Sequence, residues 1–324
     1  MVYPGEASFS VRTVEWVRDH GGNPLVDALE NWWFTRRAPA AATGGGGVAH
    51  AGYEVEPGLV GPRTAEGRWL AGPMSGGGTP PMFCTLMFPD PEHPGVSAAI
   101  ARFDQHRVAA RLIAGTREPD QRAWPERARI PVGQWGRLVA AFNSGFKMDG
   151  ANGGFFADGR MARPLRDGAA SLVITRDGRV SVDQWGRDRA FGPDILAVRQ
   201  NLRLVVDDGQ VVAGLTVNRD DRWGSAKNQL QYTWRSGAGV DAAGRLYYVA
   251  GADLTLETLA RALAGVGVVR GMELDIHPAE VHFFGYRHRA DGTPVPVKLL
   301  GTMRGPSDRY LRPDQRDFLA LTLR

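Results

Sequence analysis

The sequence predicts an α+β protein: a mixed, mostly antiparallel, sheet-rich core with a few packed helices and a loop-rich N-terminal part. Three observations predict it. From residue 170 onward, short apolar runs come in pairs around Asp-Gly or Ala-Gly turns, which is the pattern of β-hairpins. A clear 3.6-residue period appears in one later segment, at Leu256, Leu259, Ala260 and Leu263. Glycine stands at 42 of 324 residues, roughly twice its usual frequency, so turns and loops are plentiful.

In chain order, Val11, Val14 and Val17 are spaced for a short amphipathic helix over 10–20, closed by Gly21-Gly22. A second short helix is expected from Pro24 into Asn31-Trp32-Trp33-Phe34, with its aromatics in the core. Residues 38–81 are dominated by Ala, Gly and Pro and read as loop. Apolar runs follow at 82–88, 108–114 and 138–142, each bounded by Gly, Pro or charge. Hairpins are expected at 171–175 with 180–184, at 202–206 with 211–214, and at 237–240 with 246–249. The periodic helix then opens on Thr255 as N-cap and ends near Gly265. It leads through Val268-Val269 into a further strand, and a strand–helix–strand passage over 245–277 can set that last strand inside the sheet. The expected division is 1–130, a loop-rich and helical region packed on the core, and 131–324, the core itself.

Lys and Arg total 39 against 35 Asp and Glu, a net charge of +4 with no dense basic run. This argues against nucleic acid as partner, while scattered arginines suit phosphate or carboxylate. Cys84 is the single cysteine, so an internal disulfide and four-cysteine zinc sites are excluded. No apolar run approaches the roughly 18 residues of a membrane span. The first residues lack the basic and apolar regions of a signal peptide, so the chain as written reads as cytoplasmic; one trimmed of an N-terminal signal or anchor would be extracytoplasmic.

The chemistry centres on Met272-Glu273-Leu274-Asp275-Ile276-His277. Extended backbone would put Met272, Leu274 and Ile276 on one face and Glu273, Asp275 and His277 on the other, with neighbours roughly 6.5–7 Å apart. Two carboxyls so spaced suit paired acid and base work on a glycosidic or phosphate ester bond, and a plain solvated face has the same spacing. Asn143-Ser144-Gly145-Phe146-Lys147 and Asn152-Gly153-Gly154-Phe155-Phe156 are turns whose amides, asparagines and lysine can meet sugar hydroxyls or phosphate oxygens. Arg166, Arg199 and Arg235 stand near turn-like residues as candidate anion holders. Asp275, His277 and His282 could hold a divalent metal, although their spacing matches no strong zinc signature. Phosphate-loop, dinucleotide and G-x-S-x-G patterns are absent in the required context, and Cys84 has no evident base.

In this order the motifs from Asn143 to about Tyr286 resemble the phosphodiester glycosidase family, in a bacterial branch. The resemblance rests on the Asn143-Ser144-Gly145-Phe146 turn, on Arg235-Ser236-Gly237-Ala238-Gly239, on Thr255-Leu256, and on Leu274-Asp275. Ile276-His277-Pro278 replaces the glycines of the family's Leu-Asp-Gly-Gly-Gly-Ser stretch, so substrate contacts on that side must differ. The resemblance implies that 131–324 is a glycosidase-like domain, a hydrolase of a sugar-1-phosphodiester or related glycosidic bond. It makes Asp275 the essential carboxylate. Glu273 would be its partner acid or base, His277 a proton shuttle or metal ligand, and Arg235, with Arg166 and Arg199, the neutralisers of phosphate. Asn143 and Lys147 would hold substrate oxygens. The expected partner is a small sugar or sugar phosphate, with no cofactor unless a divalent metal. The alternatives are a non-catalytic carbohydrate-binding protein on the same fold and a metal-dependent phosphodiesterase.

Overall fold

A computed structural model describes residues 78–217, 222–224 and 228–324, together with 58–61, 64–73 and the positions 17, 26, 29, 32, 33, 36 and 39. Most residues of the helices expected over 10–20 and from Pro24, and much of the 38–81 loop, lie outside the described residues; the described positions 17, 26, 29, 32 and 33 are helical. Trp32 and Trp33 were expected in the core and are instead 53% and 46% exposed. Their rings lie against each other, with centroids 6.3 Å apart, and the Arg36 guanidinium sits 5.0 Å over Trp32. Mutual contact and a cation cover part of the surface that burial would have covered.

Strands dominate, and they form three sheets. The largest runs β1 (Leu70–Ala71), β2 (Met82–Met87), β3 (Ala98–Phe103), β14 (Leu246–Leu254), β13 (Thr233–Asp241), β15 (Val268–Ile276), β11 (Leu204–Asp207) and β12 (Gln210–Val211). The second runs β7 (Arg160–Arg163), β6 (Phe155–Ala157), β10 (Ile195–Gln200), β8 (Ala170–Thr175) and β9 (Val180–Gln184). The third runs β17 (Pro294–Lys298), β16 (Phe283–His288), β5 (Leu138–Asn143), β18 (Phe318–Leu323) and β4 (Val108–Ile113). Neighbouring strands within each sheet pair antiparallel. Residues 82–113 supply strands to two of these sheets, in hydrogen-bonded continuity with strands that lie after residue 131.

Alternation within the strands explains how the sheets stack. Ala99, Ala101 and Phe103 join a central core that also takes Phe142 and Leu319 from the third sheet and Leu172 and Phe155 from the second. One central core is thus walled by all three sheets. The intervening residues Ala98 and Ile100 face outward, under a helix.

That helix, α2 (Leu256–Gly265), forms as its sequence predicts. Thr255 accepts from the Thr258 amide while the Thr258 hydroxyl accepts from the Thr255 amide, closing the first turn. Leu256, Leu259 and Leu263 are fully buried against the sheet, each worth roughly 1.5–3 kcal/mol. The short α1 (Met148–Ala151) follows β5. Strands β14 and β15 both lie antiparallel to β13 between them, so α2 is the crossover that brings β15 in parallel to β14. The expected interior place of β15 is thereby realised. The hairpins also form; at 207–210, Asp208 and Gly209 take φ of 46° and 75°, the left-handed pair a two-residue turn needs.

Candidate active site

The alternation expected along 272–277 is broken. The register of β15 against β13 shifts between Arg235 and Gly237, opposite residues 273–276. This extra residue sends Glu273 and Asp275 to different partners. Glu273 is 1% exposed and accepts from Arg235 Nη1 at 2.5 Å. Arg235 is itself 1% exposed and donates further to the carbonyls of Leu254, at 2.8 Å, and Gln231, at 3.2 Å. Burial pushes the Glu273 carboxyl up, against the pull of Arg235. His277 leaves the strand at φ 75°, with Nδ1 3.3 Å from the Thr233 hydroxyl, on the Arg235 side. The side chains of Glu273 and Asp275 therefore do not form one acid–base pair.

Asp275 turns toward the end of β5. Its Oδ1 accepts the Ile276 amide at 2.8 Å, and its Oδ2 accepts Arg316 Nη2 at 2.8 Å. Arg316 also donates to Glu280, at 2.8 Å, and to the Gly145 carbonyl, at 2.9 Å. Asp275 is 4% exposed, and burial lifts its carboxyl to about 7, with Arg316 opposing and Glu280 adding to the rise. Its partner Arg316 and the Glu280 that Arg316 also holds are half-buried. Glu118 adds a further carboxyl: its Oε2 accepts the Met148 amide at 3.0 Å, and burial raises it while Arg316 draws it down.

The turn after β5 is held by a buried polar clasp. Asn143 donates to Ser236 at 2.9 Å, and its Oδ1 accepts Tyr248 at 2.9 Å and the His282 amide at 3.1 Å. Asn143, expected to meet substrate, is buried, and its amide ties β5 to β13, β14 and the residue before β16. Ser144 bonds Asp317, whose carboxylate accepts Arg199 Nε at 2.7 Å. A Cβ at Gly145 would lie 3.1 Å from the Arg199 guanidinium carbon, so glycine permits the turn to close over it. Asn201 accepts the Phe146 amide at 3.2 Å and donates to the Glu273 and Leu274 carbonyls at 2.8 and 3.0 Å. The turn and β15 are thus fixed to one another.

Of the three expected anion holders, Arg199 and Arg235 are buried in ion pairs with Asp317 and Glu273. Arg166 is exposed and bonds Asn152 Oδ1. Lys147 caps α1 at the rim. Gln200 Oε1 accepts the Gly154 and Arg166 amides, both at 2.8 Å, so the Asn152-Gly153-Gly154 turn is pinned from within. His282 is buried, pushed well down by burial and by Arg309, whose Nη1 lies 2.9 and 3.0 Å from its two nitrogens. Among the described residues, no three His, Cys, Asp or Glu side chains gather as a metal site would require.

Sequence reasoning missed Arg316, Asp317, Glu280 and Glu118. The one available signal was Asp314-Gln315-Arg316-Asp317 directly before the apolar run 318–323, the mirror of Asn143 at the end of β5. Charges clustered at a strand's mouth mark where a sheet opens.

The model of the family described as phosphodiester glycosidase matches residues 136–275, bearing out the resemblance read from the motifs. The matched segment ends on Asp275 and includes neither Glu118, Glu280 nor Arg316. Among solved structures, the chain is similar to the catalytic domain of zebrafish N-acetylglucosamine-1-phosphodiester alpha-N-acetylglucosaminidase, auto-inhibited by its pro-peptide. That likeness has a TM-score of 0.49 at 14% identity, over 79% of this chain and 87% of the other. A hypothetical protein from Synechocystis gives 0.40 at 13% identity, over 75% and 62%. A putative exported protein from Burkholderia pseudomallei gives 0.39 at 14% identity, over 70% and 74%. No curated protein matches the sequence.

Proposed function

We propose that this protein is a hydrolase that cleaves a bond at a sugar's anomeric carbon, in a sugar-1-phosphodiester or a related glycosidic linkage. One observation carries the reading: the last residue of the family match is Asp275, a buried carboxyl held at both oxygens and raised by that burial to about 7. A base that titrates near neutral pH works at its greatest advantage.

Cleavage at the anomeric carbon builds positive charge there, and a carboxylate beside it stabilises that charge. Asp275 takes this role in its ionised form. In a single displacement, a water oxygen bonds to the anomeric carbon as the bond to the leaving oxygen breaks. Asp275 accepts the water's proton, and the leaving oxygen departs as an anion or takes a proton from solvent. The Ile276 amide and Arg316 hold the carboxylate in one orientation throughout, so little geometry is lost on binding. Lys147 and Phe146 line the rim where the sugar would enter. Glu273 and Arg235, closed away from the cleft, hold the strand that presents Asp275.

The test is hydrolysis of a panel of aryl glycosides and sugar-1-phosphodiesters by the wild-type protein and by Asp275→Asn. Turnover by the wild type and its loss in the variant, with an unchanged far-UV spectrum, is expected. Near-normal rates in Asp275→Asn would overturn the assignment.

A further inference from the structure

The charges around Arg316 bear on which linkage is cut, and the inference rests on the glycosidase reading above. Arg316 Nη1 is engaged by Glu280, and Nη2 by Asp275 and the Gly145 carbonyl. Its Nε is buried with no hydrogen-bond partner. Glu118 and Asp317 add their charge to its surroundings, and a neighbouring guanidinium, Arg199, is held by Asp317. The carboxyls Asp275, Glu280, Glu118 and Asp317 thus face the guanidiniums Arg316 and Arg199, with Lys147 at the rim. A phosphate is gripped by paired guanidinium donors carrying uncompensated charge. Here the nitrogen left over, Nε, is itself closed off, so Arg316 has no free pair of donors for a phosphate. Both guanidiniums are already held by carboxylates, so neither offers a phosphate the uncompensated charge that would grip it.

Glu118 differs from the other three carboxyls. One of its oxygens accepts the Met148 amide, and the other has no hydrogen bond among the described residues. It is half-buried, and that burial favours its protonated form. A phosphate departs readily as an anion, since its second ionisation lies near pH 6. A sugar or alkyl hydroxyl does not, and its departing oxygen needs a proton.

We infer that the cleft acts on an uncharged glycoside rather than a sugar phosphate, with Glu118 giving its proton to the departing hydroxyl oxygen. The step balances: the bond from the anomeric carbon to the leaving oxygen breaks, Glu118 protonates that oxygen, water supplies the new bond, and Asp275 receives the water's proton. Solvent then returns both carboxyls to their starting states.

The experiment has two arms on the full chain. In the first, Glu118→Gln is assayed against methyl and dinitrophenyl glycosides of one sugar. Protonation by a general acid is worth about 100-fold or more, so the variant should lose that factor on the methyl glycoside and little on the dinitrophenyl one. Equal loss on both would show a structural role and overturn the donor assignment. In the second arm, inorganic phosphate and methyl phosphate are titrated into the wild type, Glu280→Gln and Arg316→Ala, followed by phosphorus NMR, whichever sugar the enzyme prefers. No saturable binding by the wild type, and its appearance in Glu280→Gln where Arg316 is released, is expected. Binding by the wild type that Arg316→Ala abolishes would overturn the inference. That result would leave the role of Asp275 standing, because Asp275→Asn tests that role separately.

Discussion

Glu273 and Asp275 sit two residues apart on β15, and each is paired with an arginine, yet their surroundings differ at every other point. Arg235 meets Glu273 and the backbone carbonyls of Leu254 and Gln231, at 1% exposure. Arg316 meets two carboxylates, Asp275 and Glu280, and is itself only half-buried. Identical side-chain types on one strand thus have separate work: the closed pair fixes the strand, and the open one leaves a carboxyl poised for a substrate. The difference comes from access and from the number of partners, not from the residues themselves.

Substitutions at the two pairs should separate these roles. The largest effect on folding is expected at the closed pair. Glu273→Ala leaves the buried Arg235 guanidinium without the carboxylate it is paired with, and the protein should lose about 3–5 kcal/mol in urea unfolding. A loss below about 1 kcal/mol would mean that water reaches Arg235. At the open pair the order reverses. Asp275→Asn leaves Arg316 with Glu280 and the Gly145 carbonyl, so stability should change by no more than about 1 kcal/mol. Turnover should fall by about 100-fold or more.

Proton linkage sharpens the same contrast. The Asp275 carboxyl stands at about 7 in the folded protein, against about 3.9 in an unfolded chain. Between these values the folded state holds a proton that the unfolded state has lost. The stabilisation is whole below about pH 4 and is lost as pH rises through about 7. Relative to Asp275→Asn, the wild type should therefore weaken by about 1 kcal/mol or more between pH 5 and pH 8, measured as paired unfolding free energies. Its kcat should rise across the same range, because the ionised carboxyl is the working form. A kcat that falls there would make Asp275 the proton donor. The smallest effect belongs to Arg166, exposed and bonded to Asn152. Arg166→Ala should change stability by under about 0.5 kcal/mol.

Local signals carried much of the fold. Asp-Gly turns marked the hairpins at 175–180 and 207–210, and the spacing of leucines with Thr255 marked α2, because each feature is decided within a few residues. The assembly of three sheets around one core was not legible, since it depends on pairings such as Leu319 with Phe142 that no local pattern encodes. The site was half legible. Asp275 and its turn partner at 143–147 stood out from their motifs. The register shift opposite Arg235 did not, and strict alternation then placed Glu273 on the wrong side. Arg199 and Arg235 looked like ligand-holding arginines because their counter-charges, Asp317 and Glu273, lie 118 and 38 residues away. Arg316 sat in a polar stretch indistinguishable from surface until β18 brought it beside Asp275.

The clasp around the β5 turn also sets when the cleft can exist during folding. Asn143 bonds Ser236 across 93 residues, Arg199 bonds Asp317 across 118, and Ser144 bonds Asp317 across 173. Each contact must meet the entropy of closing a long loop before it returns any energy, so such contacts form late and together. Hairpins and α2 can appear early in a collapsing chain, since their partners are near neighbours. The site has no such early form: its carboxyls and arginine, and the clasp beneath them, come from residues 118, 144, 199, 275 and 316, which converge only as the three sheets close on one another. Competence is therefore a property of the last folding step, and a chain that has most of its strands still lacks all of its chemistry.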